Sequence, residues 1–228
     1  MDATCWGWNP SPSPSKPEGR ARHGADMPNR FLDSLSAGVQ RMLGVQTREA
    51  HQVRGFEVVV ENSRPDIATS DVLQRLDEAL ALIEQYQPWR LSHLRRDLSR
   101  FVVVRYPCRG AYFPGDRSCM TELTFLARRD ITAAPVASSI VHEGVHARVD
   151  NWRRRFGGER SEGGMAREER LCRKAELAFG SALPAALGAP VVERALASLT
   201  LSDDEVAPTI DWRLAHARQQ AVDGEARG

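Results

Sequence analysis

The chain lacks three features that would assign it to a class by composition alone. No apolar run approaches the ~20 residues that cross a bilayer. The longest β-branched runs are Val58-Val59-Val60 and Val102-Val103-Val104. Neither charge is in surplus: 31 Lys+Arg stand against 30 Asp+Glu, a net charge of +1, so a nucleic-acid partner is not expected. Cysteine is scarce, with four in 228 residues, too few for a disulfide scaffold. What remains is enough length for one domain, or one domain plus a tail, with a core that needs no covalent staples.

The start of the chain also lacks the basic, apolar and small-residue regions of a secretory leader, which sets the expectation of a cytoplasmic protein. Met1 to Pro28 is Trp, Ser, Pro and charge, and Asn9 to Pro17 is almost entirely Ser and Pro. Such a stretch buries too little to offset its ordering entropy. Residues 1–29 are therefore expected to be a disordered tail and 30–228 a single domain. Arg30 to Leu43 carries Phe31, Leu32, Leu35, Val39, Met42 and Leu43 at helical spacing.

Strands are expected at Gly55 to Glu61, Phe101 to Tyr106 and Cys119 to Leu126, with Pro107 to Ser118 a loop. A helix opens at Ser70 or Asp71, and Pro88 ends or kinks it. After Pro135 the pattern turns helical: Val136 to Asn151, a Gly-rich loop to Gly164, Met165 to Leu183, then shorter helices near Val191 to Leu199 and Trp212 to Val222. A β-rich first half followed by helices predicts an α+β fold.

The chemistry is carried by His142-Glu143-Gly144-Val145-His146, an H-E-x-x-H string. Residues i and i+4 of a helix lie on one face, one turn apart, so the two imidazoles can share one zinc ion. Glu143 sits beside them, where its carboxylate reaches water at the metal rather than the metal itself. Ile140, Val141, Val145 and Val149 supply an apolar face, so the helix is expected independently of the motif. Gly144 is the anomaly, since glycine inside a helix costs about 1 kcal/mol relative to alanine. Close packing against a neighbour would explain it.

Catalytic zinc takes three protein ligands and leaves one position open. Positions 149 and 152 are Val and Trp, so the longer three-histidine pattern is absent, and the only later histidine is His216. A carboxylate is the expected third ligand, and the Met165 to Leu183 helix offers Glu168, Glu169 and Glu176. Leu171, Cys172, Ala175, Phe179 and Leu183 share one face of that helix at about 100° per residue. Glu168 points at its middle, while Glu169 and Glu176, seven apart, share its edge. A carboxylate there needs a partner, which zinc or a ligand histidine would supply; pairing with Arg167, Arg170, Arg173 and Lys174 is the plainer alternative.

The His142 to His146 helix, a loop and a second Glu-bearing helix resemble the gluzincin metallopeptidases. The string Arg167 to Phe179 (R-E-E-R-L-C-R-K-A-E-L-A-F) resembles small bacterial zincin-like proteins. The resemblance covers Ser138 to Phe179. It implies Glu169, just before Arg170-Leu171-Cys172, as third ligand, and Glu176 as a carboxylate orienting an imidazole. It also implies that the strand before the active-site helix, Cys119 to Leu126, lies along the cleft.

The implied activity is zinc-dependent hydrolysis of a peptide or other amide, with one Zn2+ per chain and Glu143 activating water. Tyr112, His216 and Tyr106 are candidates to stabilise the oxyanion. The competing reading is a zinc-binding protein without turnover, and a closed four-ligand site would favour it. Cys108 and Cys119 bracket the Gly/Pro loop and are expected to be reduced buried thiols, with pairing on oxidation, or service of one as a ligand, as the alternatives. Arg153-Arg154-Arg155 is interleaved with acidic residues and reads as solvated surface.

Overall fold

The computed structural model describes residues 47–158, 164–208 and 211–225. The expected tail and the Arg30 to Leu43 helix lie outside them, as does most of the Gly157 to Gly164 loop. The described residues adopt an α+β fold around a five-stranded mixed sheet.

The sheet opens with a hairpin of β1 (Thr47–Val53) and β2 (Phe56–Asn62). Arg54 and Gly55 join them, both at positive φ (47° and 81°), as a two-residue turn matching the strand twist requires. Arg54 also pins the hairpin to the first helix through Asp77 and Glu84 (2.9 and 2.6 Å). That helix, α1 (Thr69–Tyr86), stops at Gln87, and α2 (Pro88–Asp97) begins at once. Pro88 thus separates two helices. Its missing N–H is harmless at a helix start, where the first amides have no internal acceptor.

Next come β3 (Arg100–Val104), β4 (Gly110–Phe113) and β5 (Ser118–Glu122). The order across the sheet is β1-β2-β3-β5-β4. The inner strands β2, β3 and β5 run parallel, and each edge strand pairs antiparallel with its neighbour. Two sequence expectations are corrected here. Pro107 to Ser118 is not wholly loop, because β4 lies inside it. Cys119 to Leu126 is not one strand: Glu122 accepts a hydrogen bond from the Phe125 amide (2.7 Å), capping the short α3 (Leu123–Ala127).

The remaining helices are α4 (Ala134–Phe156), α5 (Gly164–Ala182), α6 (Ala185–Leu199), α7 (Asp203–Val206) and α8 (Trp212–Glu225). None is long and apolar enough to cross a membrane. The α6 helix starts before Pro190, although a proline so far into a helix removes one backbone bond. Its apolar contacts and a close approach to α5 hold it.

One face of the sheet and the helices share a single core. Phe56, Val58, Val60, Phe101 and Val103 face Leu76, Leu80 and Ile83 of α1 and Leu91 and Leu94 of α2. Rings of Phe56 and Phe101 meet edge to face, 5.1 Å apart. The α4 helix runs through the middle, touching α1, α2, α5, α6, β4 and β5. Gly144 lets it approach α2, since a Cβ there would sit 2.5 Å from Leu94 Cδ2.

The α5–α6 pair closes on two glycines. A Cβ on Gly188 would sit 2.1 Å from the Gly180 carbonyl oxygen. That atom is backbone and cannot swing aside, so one helix would have to move. Gly188→Ala should lower stability by about 1–3 kcal/mol, the usual cost of overpacking, as a fall in Tm followed by circular dichroism.

Candidate metal centre

The site lies between α4 and α5. The α4 helix supplies His142 and His146 from one face, and α5 answers with Glu168, Glu169, Cys172 and Glu176. Their Nε2 atoms face each other at 3.2 Å. Glu169 reaches both, with Oε1 3.2 Å from His146 Nε2 and Oε2 3.3 Å from His142 Nε2. Cys172 Sγ lies 3.5 Å from His146 Nε2. Among the described residues, His142, His146 and Cys172 form the group whose donor atoms converge within 4.8 Å.

The far side of each imidazole is fixed. His142 Nδ1 meets Glu176 Oε1 at 2.7 Å, and His146 Nδ1 meets Glu168 Oε1 at 2.8 Å. These carboxylates accept the Nδ1 protons, so a neutral imidazole turns the Nε2 lone pair inward. They are themselves held. Glu176 accepts from Ser138 Oγ (2.9 Å), Arg173 (2.9 Å) and Arg194 (2.8 Å), and Glu168 pairs with Arg153 at 2.7 Å. The Glu176 side chain is fully buried and Glu168 nearly so.

Two nitrogen lone pairs, a carboxylate and a thiol sulfur therefore converge in a dry interior. Acceptors so placed repel one another unless a cation lies between them. Tetrahedral zinc has bonds of about 2.0–2.1 Å to nitrogen and oxygen and about 2.3 Å to sulfur, which sets its donors roughly 3.3–3.5 Å apart. The distances here fit that spacing. Among the described residues, buried Glu169 Oε2 has no hydrogen-bond partner beyond its 3.3 Å approach to His142 Nε2, as expected of an oxygen placed for a metal.

Proton affinities report the same crowding. Burial pulls the His142 and His146 pKa values down, but Cys172 and Glu169 outweigh it and raise both well above the usual imidazole range. Burial pushes the Glu169 and Glu176 carboxyls up. The facing imidazoles reverse that for both, helped at Glu176 by Arg194 and Arg173, so Glu169 falls far below its ordinary value and Glu176 to about 2.

Glu143 stands apart. It is almost fully buried, its Oε1 has no hydrogen-bond partner among the described residues, and burial raises its pKa. Gly110 on β4 makes room for it: a Cβ there would lie 3.2 Å from Glu143 Oε1 and 2.8 Å from Ser139 Oγ. The strand against the site is therefore the sheet edge β4. The expected cleft strand, β5, is buried between β3 and β4.

The structure brings together His142, Glu143, His146, Glu168, Glu169 and Glu176. It places the oxyanion candidates elsewhere. Tyr112 shares the face of β4 that Gly110 presents to α4, but its hydroxyl donates to Asp150 (2.8 Å), one helical turn beyond His146. His216 and Tyr106 lie in an aromatic group with Phe113 and Trp212. Phe113 follows Tyr112, so that group is on the opposite face of the sheet. Cys108 and Cys119 are buried and outside the converging group.

Sequence reasoning missed Cys172 as a donor, because it counts as an apolar residue on an apolar face. The signal was its spacing, three residues after Glu169 and four before Glu176, which sets all three on one stripe of α5. Leu171, expected on the same face, is instead half exposed. No protein-family model matches the chain, nor does any of the curated proteins or solved structures with which it was compared.

Purified without chelators, the chain should carry about one zinc, measured by mass spectrometry of metals, and His142→Ala with His146→Ala should remove it. Glu169→Ala should cost more affinity than Glu168→Ala or Glu176→Ala, which should each cost ~10–100-fold. Because the metal-free imidazoles hold protons that a cation must displace, affinity should fall as pH drops from about 8 to about 6, read by competition with a chromophoric chelator.

Proposed function

We propose that the protein is a zinc-dependent hydrolase of peptide or other amide bonds. The observation that carries the reading is Glu143, a buried carboxylate with an oxygen unpartnered among the described residues, beside the converging donors but not among them. A purely structural site has no use for such a base. Zinc, when bound, would supply a Lewis acid that polarises the scissile carbonyl and acidifies water.

The protein's own groups would do the rest. Glu143 takes the proton of the attacking water and returns it to the leaving nitrogen, and its raised pKa brings it closer to neutral pH. Glu168 and Glu176 keep both imidazoles in one tautomer and orientation. The free edge of β4, among the described residues, offers backbone groups to an extended substrate beside Glu143. The buried thiols of Cys119 and Cys172 suit a reducing compartment such as the cytoplasm.

A second reading, a zinc protein without turnover, is favoured by Cys172. If its sulfur completes the set with His142, His146 and Glu169, no position stays open for water. A peptide library and two variants separate the readings. A hydrolase should lose turnover by about 100-fold or more in Glu143→Gln, with zinc retained, and keep or gain turnover in Cys172→Ala. If both the wild type and Cys172→Ala are fully loaded with zinc yet inert, the second reading stands.

A further inference from the structure

Away from the metal centre, the C-terminal half of α4 forms the floor of a groove of about 580 Å³ between α2 and α5. Trp89, Val145, Val149, Trp152, Phe156 and Leu171 line it. Four of these, Trp89, Trp152, Phe156 and Leu171, are at least half exposed. Large apolar groups gathered in a concavity, rather than scattered singly, mark a contact surface.

The polar lining is of one sign. Arg90, Arg96, Arg148 and Arg155 border the groove, and among the described residues no carboxylate does. Arg90 and Arg155 lie against the Trp89 and Phe156 rings (4.3 and 5.6 Å to the ring centres). Among the described residues, neither has a carboxylate partner. Asp97, beside the groove, is buried and already taken by two nitrogens of Arg96 and by Asn151, each at 2.7 Å. Arg148 is left 4.0 Å from it. Burial lowers the Arg90 pKa to about 10 with nothing to offset it. His93, stacked edge-on to Trp89, is likewise lowered, first by burial and then by Arg148 and Arg96, with Arg90 adding to them against a small opposing pull from Asp97.

We propose that this groove docks an acidic segment of a partner protein that carries apolar anchors. From Val145 to Phe156 the floor runs about 16 Å, three turns of a helix, so a short amphipathic helix with acidic flanks fits it. Anchors fill the Trp89–Trp152–Leu171 concavity, and carboxylates meet the Arg148 and Arg155 guanidiniums in the forked geometry arginine favours. The chain's own first 46 residues are a poor match, with five Lys/Arg against four Asp/Glu. A concave surface also suits a peptide better than a flat bilayer. The proposal does not depend on the metal centre.

The test uses the full-length protein and a fluorescein-labelled synthetic helix of about three turns with Leu and Phe on one face and Glu on the flanks. Anisotropy should show saturable binding that added salt weakens, and the same peptide with Lys for Glu should bind at least about tenfold more weakly. Trp152→Ala and, separately, Arg148→Glu and Arg155→Glu should each cost about tenfold, with zinc content and circular dichroism unchanged. The two charge reversals should also strengthen binding of the Lys peptide. Equal binding of both peptides, or binding unaffected by all three variants, would overturn the proposal. So would binding confined to phosphatidylserine vesicles, or self-association in sedimentation that Trp152→Ala abolishes.

Discussion

Glu176 is a carboxylate with no exposure to water and a donor on every side. His142 reaches it from α4, Arg173 from its own helix, Arg194 from α6 and Ser138 from the turn below His142. A buried ion of this kind is costly unless its oxygens are fully used, and three helices contribute to using them. The position of α6 therefore matters to the His142 imidazole. The glycine contact between α5 and α6 brings Arg194 within reach, Arg194 helps hold Glu176, and Glu176 sets the ring of His142. His146 has a lighter version of the same support in Glu168 and Arg153.

Much of this was legible in the sequence, and the reasons differ residue by residue. His142, Glu143 and His146 were readable because helical spacing alone fixes which side chains share a face. Glu168, Glu169 and Glu176 could be narrowed to one helix, but their separate roles depend on which imidazole nitrogen each meets. That is a matter of ångströms between two helices rather than of spacing along one. Cys172 was hidden by its chemistry, since a thiol is counted as a small apolar residue until a metal-binding group stands next to it.

The strands show a similar division. The strands β2 and β3 announce themselves as β-branched runs because both faces of them are covered. The β1 strand, Thr-Arg-Glu-Ala-His-Gln-Val, has no apolar alternation, because it is an edge whose pairing is set by the Arg54-Gly55 turn. The β4 strand is four residues among prolines and glycines, and it exists through its ladder with β5. In both cases the neighbour, not the segment, decides the structure. The α+β class survives these omissions because the segregation of strands before helices does not depend on the count of either.

The mixed sheet also fixes an order of assembly. Its two edge pairings are hairpins, closed by two and four residues, and short loops close in well under a microsecond. The parallel pairing of β2 with β3 can form only after the whole α1–α2 connection has folded back over the sheet, and that long closure is entropically slow. The two helices that meet at His142 and Glu169 come later still in the chain. During synthesis, then, the hairpin and the α1–α2 layer emerge first and give α4 a surface to dock on. The donors converge last, on a framework already in place, so an ion arriving at that moment would meet a shaped cavity rather than a loose chain.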